Sequence, residues 1–475
     1  MKHASRMPWL DSTKVVGLDT VDLGYLITLL AISIYSKSTV LNYLGTDDGI
    51  YTAGCGLIMN GYQPYRDYFL AHPPAFFYLI STIWRLMQTQ DGYSMWHAGK
   101  WVVIAFFSAY VVLTYAIAKS VFKSRTAGII STLLLHLSCT TFRFSIQVCP
   151  SIPTAFLIVL ATFLLLTNHH PATTGVTLGI ACLTRLTPLA IFPVMAYYYY
   201  IKRPRDAFIF AASTGLPLLA LAAFPVQNIL FDLFSFHLRK GVSGPLSIQH
   251  LKTLLDVATS TEIPILAGLI GSIICLVDRR KERVIVAVMG LMLMVPYLVS
   301  SSITPHLLRE ATPMLSLSAA LALSEVTGKG NKRHLAILLG LVLLSSSLSV
   351  KDGIQDAMSE YSKAANSSTH KISYLVRLVQ ENTRPEDMVF CQLTVVPFLA
   401  NRRSPPLADT SLTAMRAGVF TLDSIKAVIH KYDIRLLSIS DNFVDEEDMR
   451  QFLRDRGYVR IDRAWGYWTY VKLRS

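Results

Sequence analysis

Residues 174–200 read TGVTLGIACLTRLTPLAIFPVMAYYYY, and the topology of the whole chain turns on how they fold. The run is long enough for one membrane-crossing helix with overhang, or for two short helices back to back. Arg185, Thr187 and Pro188 interrupt it in the middle. A hairpin of two short helices puts the Arg185 charge at its tip, where it can reach a polar surface.

The basic clusters on either side decide between the two. They are Lys2, Arg6 and Lys14; Lys119, Lys123 and Arg125; Lys202, Arg203 and Arg205; Arg279, Arg280, Lys281 and Arg283; and Lys329, Lys332 and Arg333. Short loops rich in Lys and Arg stay on the cytoplasmic side of a membrane. One helix at 174–200 sends the later clusters to the wrong side, whereas a hairpin keeps every cluster inside.

The other apolar segments of spanning character lie at about 21–43, 97–118, 126–146, 152–167, 207–226, 263–277, 284–300, 311–324 and 335–350. With the hairpin counted as two, the expectation is a polytopic α-helical membrane protein of about eleven spans, N-terminus cytoplasmic and C-terminus out. The first span follows a weakly basic segment without a small-residue cleavage site, so it reads as retained. A prokaryotic plasma membrane is the expected location.

Composition agrees. The chain has 475 residues, 52% hydrophobic and 16% charged, against about 25% charged in an ordinary soluble domain. The charge deficit belongs to residues 21–350, while 351–475 have soluble character. The expected division is therefore a membrane domain, 1–350, including an outer loop 45–95, and an extracytoplasmic α/β domain, 351–475. In the latter, 372–382, 422–431 and 445–456 have helical spacing. MVFCQLTVV, IRLLSIS and the terminal GYWTYVKL read as strands. The net charge of +13 sits in inter-span loops, so it marks membrane orientation and argues against nucleic acid as a partner. The six cysteines form no CxxC pair and read as buried free thiols. Asn366-Ser367-Ser368 is a glycosylation sequon just beyond the last span.

Within 45–95, residues 49–60 and 74–88 are apolar enough to lie along a membrane surface. Pro73 and Pro74 suit the first turn of the second such helix, and Gly61–Asp67 form a turn between the two. Asp47 and Asp48 directly follow the first span. Paired carboxylates at an interface are either a solvated helix end or functional groups, as a general base or as ligands for a phosphate-bound metal. No cofactor is specified by the sequence, and a divalent metal is compatible with the acidic pair but not indicated.

Three elements in order carry a family resemblance. They are Asp47-Asp48-Gly-Ile-Tyr51, then Gly61-Tyr-Gln-Pro-Tyr65-Arg66-Asp67-Tyr-Phe, then His72-Pro73-Pro74. This pattern resembles the opening loop of GT-C superfold glycosyltransferases that use lipid-linked sugars, the protein O-mannosyltransferase-like and lipid A aminoarabinose transferase-like enzymes. Gly179–Pro188 resembles their short hairpin with a cationic tip. Pro305-His306-Leu-Leu-Arg309, with Pro313 following, resembles their late-helix motif.

The resemblance implies an inverting, mannosyltransferase-like transfer from a polyprenyl-phosphate sugar, of dolichyl or undecaprenyl type, to a lipid, glycan or protein acceptor on the outer face. It implies Asp47 as general base, Asp48 in a supporting position, and Arg185, His72 and Arg309 as holders of the donor phosphate. Tyr51, Tyr65, Asp67, His237, Arg239 and His306 are cavity candidates. Each also has a plainer reading: Arg185 an interfacial anchor, His72 a neutral turn residue, Arg309 a partner of Glu310, Asp67 a turn cap, and Tyr51 and Tyr65 aromatic-belt residues. The 234–241 loop is either a cover over the donor or a surface amphipathic helix. One departure stands out. Relatives often carry a second acid in the outer loop after the third helix, and here Arg143–Ser151 has none. Gln147 stands in that stretch, and Asp232 is a distant alternative. A transporter and a noncatalytic lipid-binding scaffold remain the rival functions. Few charges lie within the spans and no internal repeat is visible, which counts against transport.

Overall fold

The break at Arg185 forms as the charge pattern requires. A computed structural model describes residues 17–239, 248, 252–256, 262–278, 280–299, 308–329, 368–419, 421–441, 447–464 and 466–473. The first basic cluster, the 335–350 segment, Pro305, His306, Asn366 and the 350/351 boundary lie outside the described residues.

In chain order the first eight helices are α1 (Thr20–Ser38), α2 (Thr46–Met59), α3 (Ala75–Leu86), α4 (Gly92–Ser120), α5 (Arg125–His136), α6 (Cys139–Phe144), α7 (Ser151–Leu166) and α8 (Pro171–Thr184). They are followed by α9 (Phe192–Lys202), α10 (Pro204–Leu218), α11 (Val226–Leu230), α12 (Phe236–Arg239), α13 (Ile263–Asp278), α14 (Lys281–Met292), α15 (Val295–Val299) and α16 (Thr312–Lys329).

Helix α8 stops where Arg185 turns extended, at φ −155° and ψ 152°. Thr187–Ile191, with Pro188 in its first turn, then makes a tight 3-10 turn into α9. The free ends of the two arms meet again. Tyr199 Oη donates to Thr174 Oγ1 at 2.9 Å, and Lys202 Nζ donates to Asn168 Oδ1. The segment is thus a hairpin with Arg185 at its tip. It is clamped by α10, which approaches α8 so closely that a Cβ on Gly175 or Gly179 would lie within 2.5 Å of a carbonyl oxygen of Phe210 or Thr214.

Among the described residues three helical stretches are long and apolar enough to cross a membrane: Gly92–Ser120, Pro204–Ala223 and Lys281–Val299. The expected 126–146 span is broken into α5 and α6. Ser138 caps α6 through the Thr141 N–H, and the buried Glu262 carboxylate, far downstream, accepts from Ser138 Oγ at 2.8 Å and from the Thr140 N–H. A helix start satisfied so completely ends the preceding helix.

At the end of the bundle opposite the hairpin tip, Asp19 and Asp22 form a capping box on α1. Asp22 is fully buried and holds Arg125 Nε at 2.8 Å and Lys119 Nζ at 2.9 Å. A charge can be buried there because it is paired twice.

The C-terminal part contains α17 (Ser368–Asn382), β1 (Val389–Cys391), α18 (Val395–Leu399), α19 (Leu412–Arg416), α20 (Leu422–Lys431), β2 (Leu436–Ser440), α21 (Glu447–Asp455), β3 (Tyr458–Ala464) and β4 (Tyr467–Lys472). The sheet order is β1-β2-β4-β3, with β1 and β2 parallel and the other pairs antiparallel. Two expectations need correction. The strand read at MVFCQLTVV ends at Cys391, and its last two residues, Val395 and Val396, open helix α18. Its valines are buried, and packing outweighs their strand preference. Strand β3 is absent from the sequence reading because it is an exposed edge whose Arg460, Asp462 and Arg463 hide its alternation.

Helix α18 is the wedge that joins the two parts. Phe398 stacks on Trp84, with ring centroids 5.0 Å apart, and covers Gly56. A Cβ on Gly92 would lie 2.3 Å from the Phe398 carbonyl oxygen, and Asn401 accepts from the Gly92 N–H at 2.7 Å. The apolar core therefore runs without interruption from the helices into the sheet.

Candidate functional site

Helix α2 begins at Gly45 with no side-chain cap, and Asp47 and Asp48 occupy its first turn, where the helix dipole favours carboxylates. The two aspartates then diverge. Asp48 points inward and is fully buried. It accepts from the Val148 N–H at 2.9 Å and Trp96 Nε1 at 3.1 Å, and its Oδ2 lies 3.3 Å from Lys100 Nζ. Lys100 also donates to the carbonyls of Leu41 and Tyr43. Asp48 is thus committed to holding the start of α2 against α4 and the loop before α7. Asp47 is half-buried and lies within electrostatic reach of Tyr51 and Arg185.

One helical turn after Asp47, the Tyr51 hydroxyl meets His72 Nε2 at 2.9 Å. Burial first, and the Asp47 charge second, push the Tyr51 phenol well above its ordinary value, so it stays an intact O–H. His72 is held from its backbone as well. Tyr65, left-handed at φ 64°, donates its hydroxyl to the His72 carbonyl at 2.6 Å. His237 Nε2 donates to the neighbouring Ala71 carbonyl at 2.8 Å. The His72 and His237 rings lie 5.5 Å apart.

The chain from α11 to α12 clamps this loop by a local device. Asn228 donates to the Tyr65 carbonyl, Asp232 accepts from the Leu70 N–H at 3.0 Å, and His237 takes the Ala71 carbonyl. The three are spaced by four and then five residues. The intervening turn, Phe231–Ser235, is a π-helix, and its wider step keeps the third side chain on the face of the other two. Burial pushes the Asp232 carboxyl up to about 7 against the pull of the Leu70 N–H.

The hairpin tip, the His72 loop, the α11–α12 segment and α15 enclose a mostly apolar cavity of about 360 Å³. His72, Arg185 and His237 are its charged or titratable lining groups. Arg185 is almost fully buried, with Nη1 3.0 Å from Glu310 Oε1 and bonded to Ser151 Oγ. Arg309, expected to pair with its neighbour Glu310 if it were merely structural, does not. Its guanidinium lies 3.3 Å above the Phe144 ring, and its Nε and Nη1 have no hydrogen-bond partner among the described residues. Tyr51, Arg185, Arg309 and Glu310 all interact electrostatically, which makes them one cluster.

Several candidates fall elsewhere. Asp67 accepts from the Gln63 N–H at 2.7 Å and from Arg66, and the N–H first and Arg66 second hold its carboxyl below the usual range. It caps the Gly61–Asp67 turn and does not line the cavity. Arg239 is exposed and sits over Phe231. Tyr51 and Tyr65 grip His72 without lining the cavity. His306 lies outside the described residues. Gln147 is buried against Gly45, the residue that opens α2, with its Oε1 unpartnered among the described residues. Asp232, the other alternative for a second acid, is taken by Leu70. Among the described residues no three His, Cys, Asp or Glu side chains gather as a metal would require. The residues missed from sequence are Lys100, whose signal was a lone charge inside an apolar run, and Glu310 as the partner of Arg185.

No family model matches the sequence, and neither does any curated protein. Solved structures do match. ArnT from Cupriavidus metallidurans bound to undecaprenyl phosphate superposes with a TM-score of 0.66 at 14% identity, over 95% of this chain and 98% of that one. Its apo state gives 0.67 at 13%, over 96% and 99%. The oligosaccharyltransferase AglB from Archaeoglobus fulgidus, in complex with an inhibitory peptide and a dolichol-phosphate, gives 0.56 at 13%, over 96% and 75%. At such identities the likeness is one of fold alone, and the fold of this chain is the GT-C fold of ArnT and AglB.

Proposed function

We propose that the protein is a membrane glycosyltransferase that moves a sugar, with inversion, from a polyprenyl-phosphate donor to an acceptor hydroxyl. The observation that carries this reading is the cavity. Its walls are apolar, as an isoprenoid needs, and Arg185 and His72 stand together at its lining, as a phosphate needs. The neighbours bind undecaprenyl phosphate and dolichol-phosphate, which is the same ligand chemistry.

In this reaction the acceptor oxygen attacks the anomeric carbon while its proton passes to the Asp47 carboxylate. The bond from that carbon to the phosphate oxygen breaks, and its electron pair leaves with the phosphate. Negative charge grows there, and Arg185, Arg309 and the His72 imidazole are the groups that stabilise it. Asp48 does no proton transfer and keeps Asp47 in place. The expected eleven spans, with the C-terminal domain and this site on the outer side of a plasma membrane, belong to the same proposal.

Purified protein supplied with a polyprenyl-phosphate hexose tests it through release of polyprenyl phosphate. Asp47→Asn is expected to cut turnover by about 10²- to 10⁴-fold, the usual worth of a general base, without loss of folding. Undiminished turnover removes Asp47 as the base. Binding of polyprenyl phosphate with no turnover of any sugar donor would favour the noncatalytic scaffold, which the Gln147 substitution keeps in view.

A further inference from the structure

A buried threonine hydroxyl in a helix ordinarily donates to the carbonyl one turn back. Thr114, Thr154, Thr162 and Thr214 all do so, each reaching the carbonyl four residues earlier at 2.7–2.9 Å. Thr187 does not. Its Oγ1 is buried and has no hydrogen-bond partner among the described residues. The hairpin tip is the reason. Helix α8 ends as Arg185 turns extended, and Thr187 then opens the 3-10 turn into α9. The break falls between Thr187 and Leu183, whose carbonyl a continuous helix would have brought within reach of its hydroxyl.

Thr187 also lines the cavity. The polar side chains of that lining are His72, Arg185, Thr187 and His237, and the remainder is apolar. Arg185 and Thr187 come from the same three residues of the hairpin tip. A buried donor left unmade is destabilising, and one that faces a cavity can be completed by what the cavity holds.

We propose that Thr187 is a donor-binding residue, whose Oγ1–H donates to a phosphate oxygen of the polyprenyl-phosphate donor beside the Arg185 guanidinium. The proposal deepens the function given above and rests on it. A phosphate carries more acceptor positions than one guanidinium fills, and Arg185 is already drawn towards Glu310 and Ser151. Thr187 adds a short, directional donor without adding a second charge to be buried at the tip. As the bond from the anomeric carbon to the phosphate breaks, charge grows on the phosphate and this hydrogen bond strengthens. The break at Arg185 thus does two things: it brings a cation to the cavity, and it releases the Thr187 hydroxyl from its own backbone.

Thr187→Val tests this in the purified full-length protein, because it keeps the shape of the side chain and removes only the hydroxyl. Without lipid it is expected to raise the thermal midpoint, since a buried group without a partner is gone. With undecaprenyl phosphate it is expected to weaken binding by about 10- to 100-fold, the worth of a hydrogen bond to a charged group. Thr187→Ser keeps the hydroxyl and should bind undecaprenyl phosphate within about threefold of the wild type. Undecaprenol, which has the same chain and no phosphate, is the control, and its affinity should be the same for the wild type and Thr187→Val.

A lower midpoint in Thr187→Val without lipid overturns the proposal, because the hydroxyl then has a structural partner. So does an affinity for undecaprenyl phosphate equal to that of the wild type. An equal loss towards undecaprenol overturns it as well and makes Thr187 a wall against the isoprenoid. If the wild type itself binds no undecaprenyl phosphate, the donor reading fails and takes the role of Thr187 with it.

Discussion

Lys100 Nζ lies 3.3 Å from Asp48 Oδ2, and both side chains are fully buried. Removing one member of such a pair strands the other charge, which costs about 3–5 kcal/mol. Lys100→Met is therefore expected to lower the thermal midpoint of the purified protein sharply. Adding Asp48→Asn should recover much of the loss, because the orphan charge is gone. If the double variant is no better than the single one, the pair is not the unit that holds α2 in place.

Arg309 has a buried guanidinium with Nε and Nη1 unpartnered among the described residues. Such donors are costly unless a ligand completes them. Arg309→Met is expected to weaken undecaprenyl phosphate binding by about 10- to 100-fold, since a hydrogen bond to a charged group is worth about 1.5–3 kcal/mol. Its effect on thermal stability without lipid should be small by comparison. Unchanged affinity would assign Arg309 to packing on Phe144 alone.

Asp232 makes the clamp on the His72 loop sensitive to pH. An exposed aspartate titrates near 4, and in the clamped state burial pushes this one up to about 7. The clamped state therefore binds the proton more tightly than the open state does. The resulting stabilisation is fully present below pH ~4 and is lost as pH rises through about 7. Hydrogen exchange at residues 65–72, corrected for intrinsic rates, should show protection falling between about pH 4 and 7 and levelling off above that. Asp232→Asn keeps an acceptor for the Leu70 N–H and should flatten that dependence. The same slope in the variant would move the effect to another group, with His72 and His237 next in line.

Phe398 is the centre of the joint between the helical bundle and the sheet. Phe398→Ala empties the space between Trp84 and Gly56 and is expected to cost about 3–5 kcal/mol. Gly92→Ala should act on the same joint from the other side, because its Cβ would meet a backbone carbonyl that cannot rotate away. The thermal midpoint of the purified protein should therefore fall in both variants. Midpoints equal to that of the wild type would show that the two parts are joined mainly elsewhere.

Much of the architecture is written in local pattern. Apolar run length places the helices, and Arg185 with Pro188 breaks 174–200 into a hairpin because neither a buried charge nor a missing N–H suits a helix centre. Apolar character marks α2 and α3, and helical spacing marks α20. Where local pattern and packing disagree, packing prevails. The valines of α18 read as strand and fold as helix because the joint with α2 and α4 rewards that shape. The edge strand β3 is silent because charges meant for solvent mask its alternation.

The site divides in the same way. Asp47, His72 and Arg185 stand out in the sequence because each is a polar residue next to a turn or a proline, where a polar residue has a local cost or purpose. Their partners do not stand out. Lys100 with Asp48, Glu310 with Arg185, Asp232 with Leu70 and Tyr51 with His72 join residues from 21 to 162 positions apart. Nothing within a helical turn of any of them names the other. A buried charge or donor must find a partner, but the chain's own pattern states only the need. Which partner meets it depends on how the helices pack, and that packing sorted one aspartate of the adjacent pair into the core and left the other half-buried.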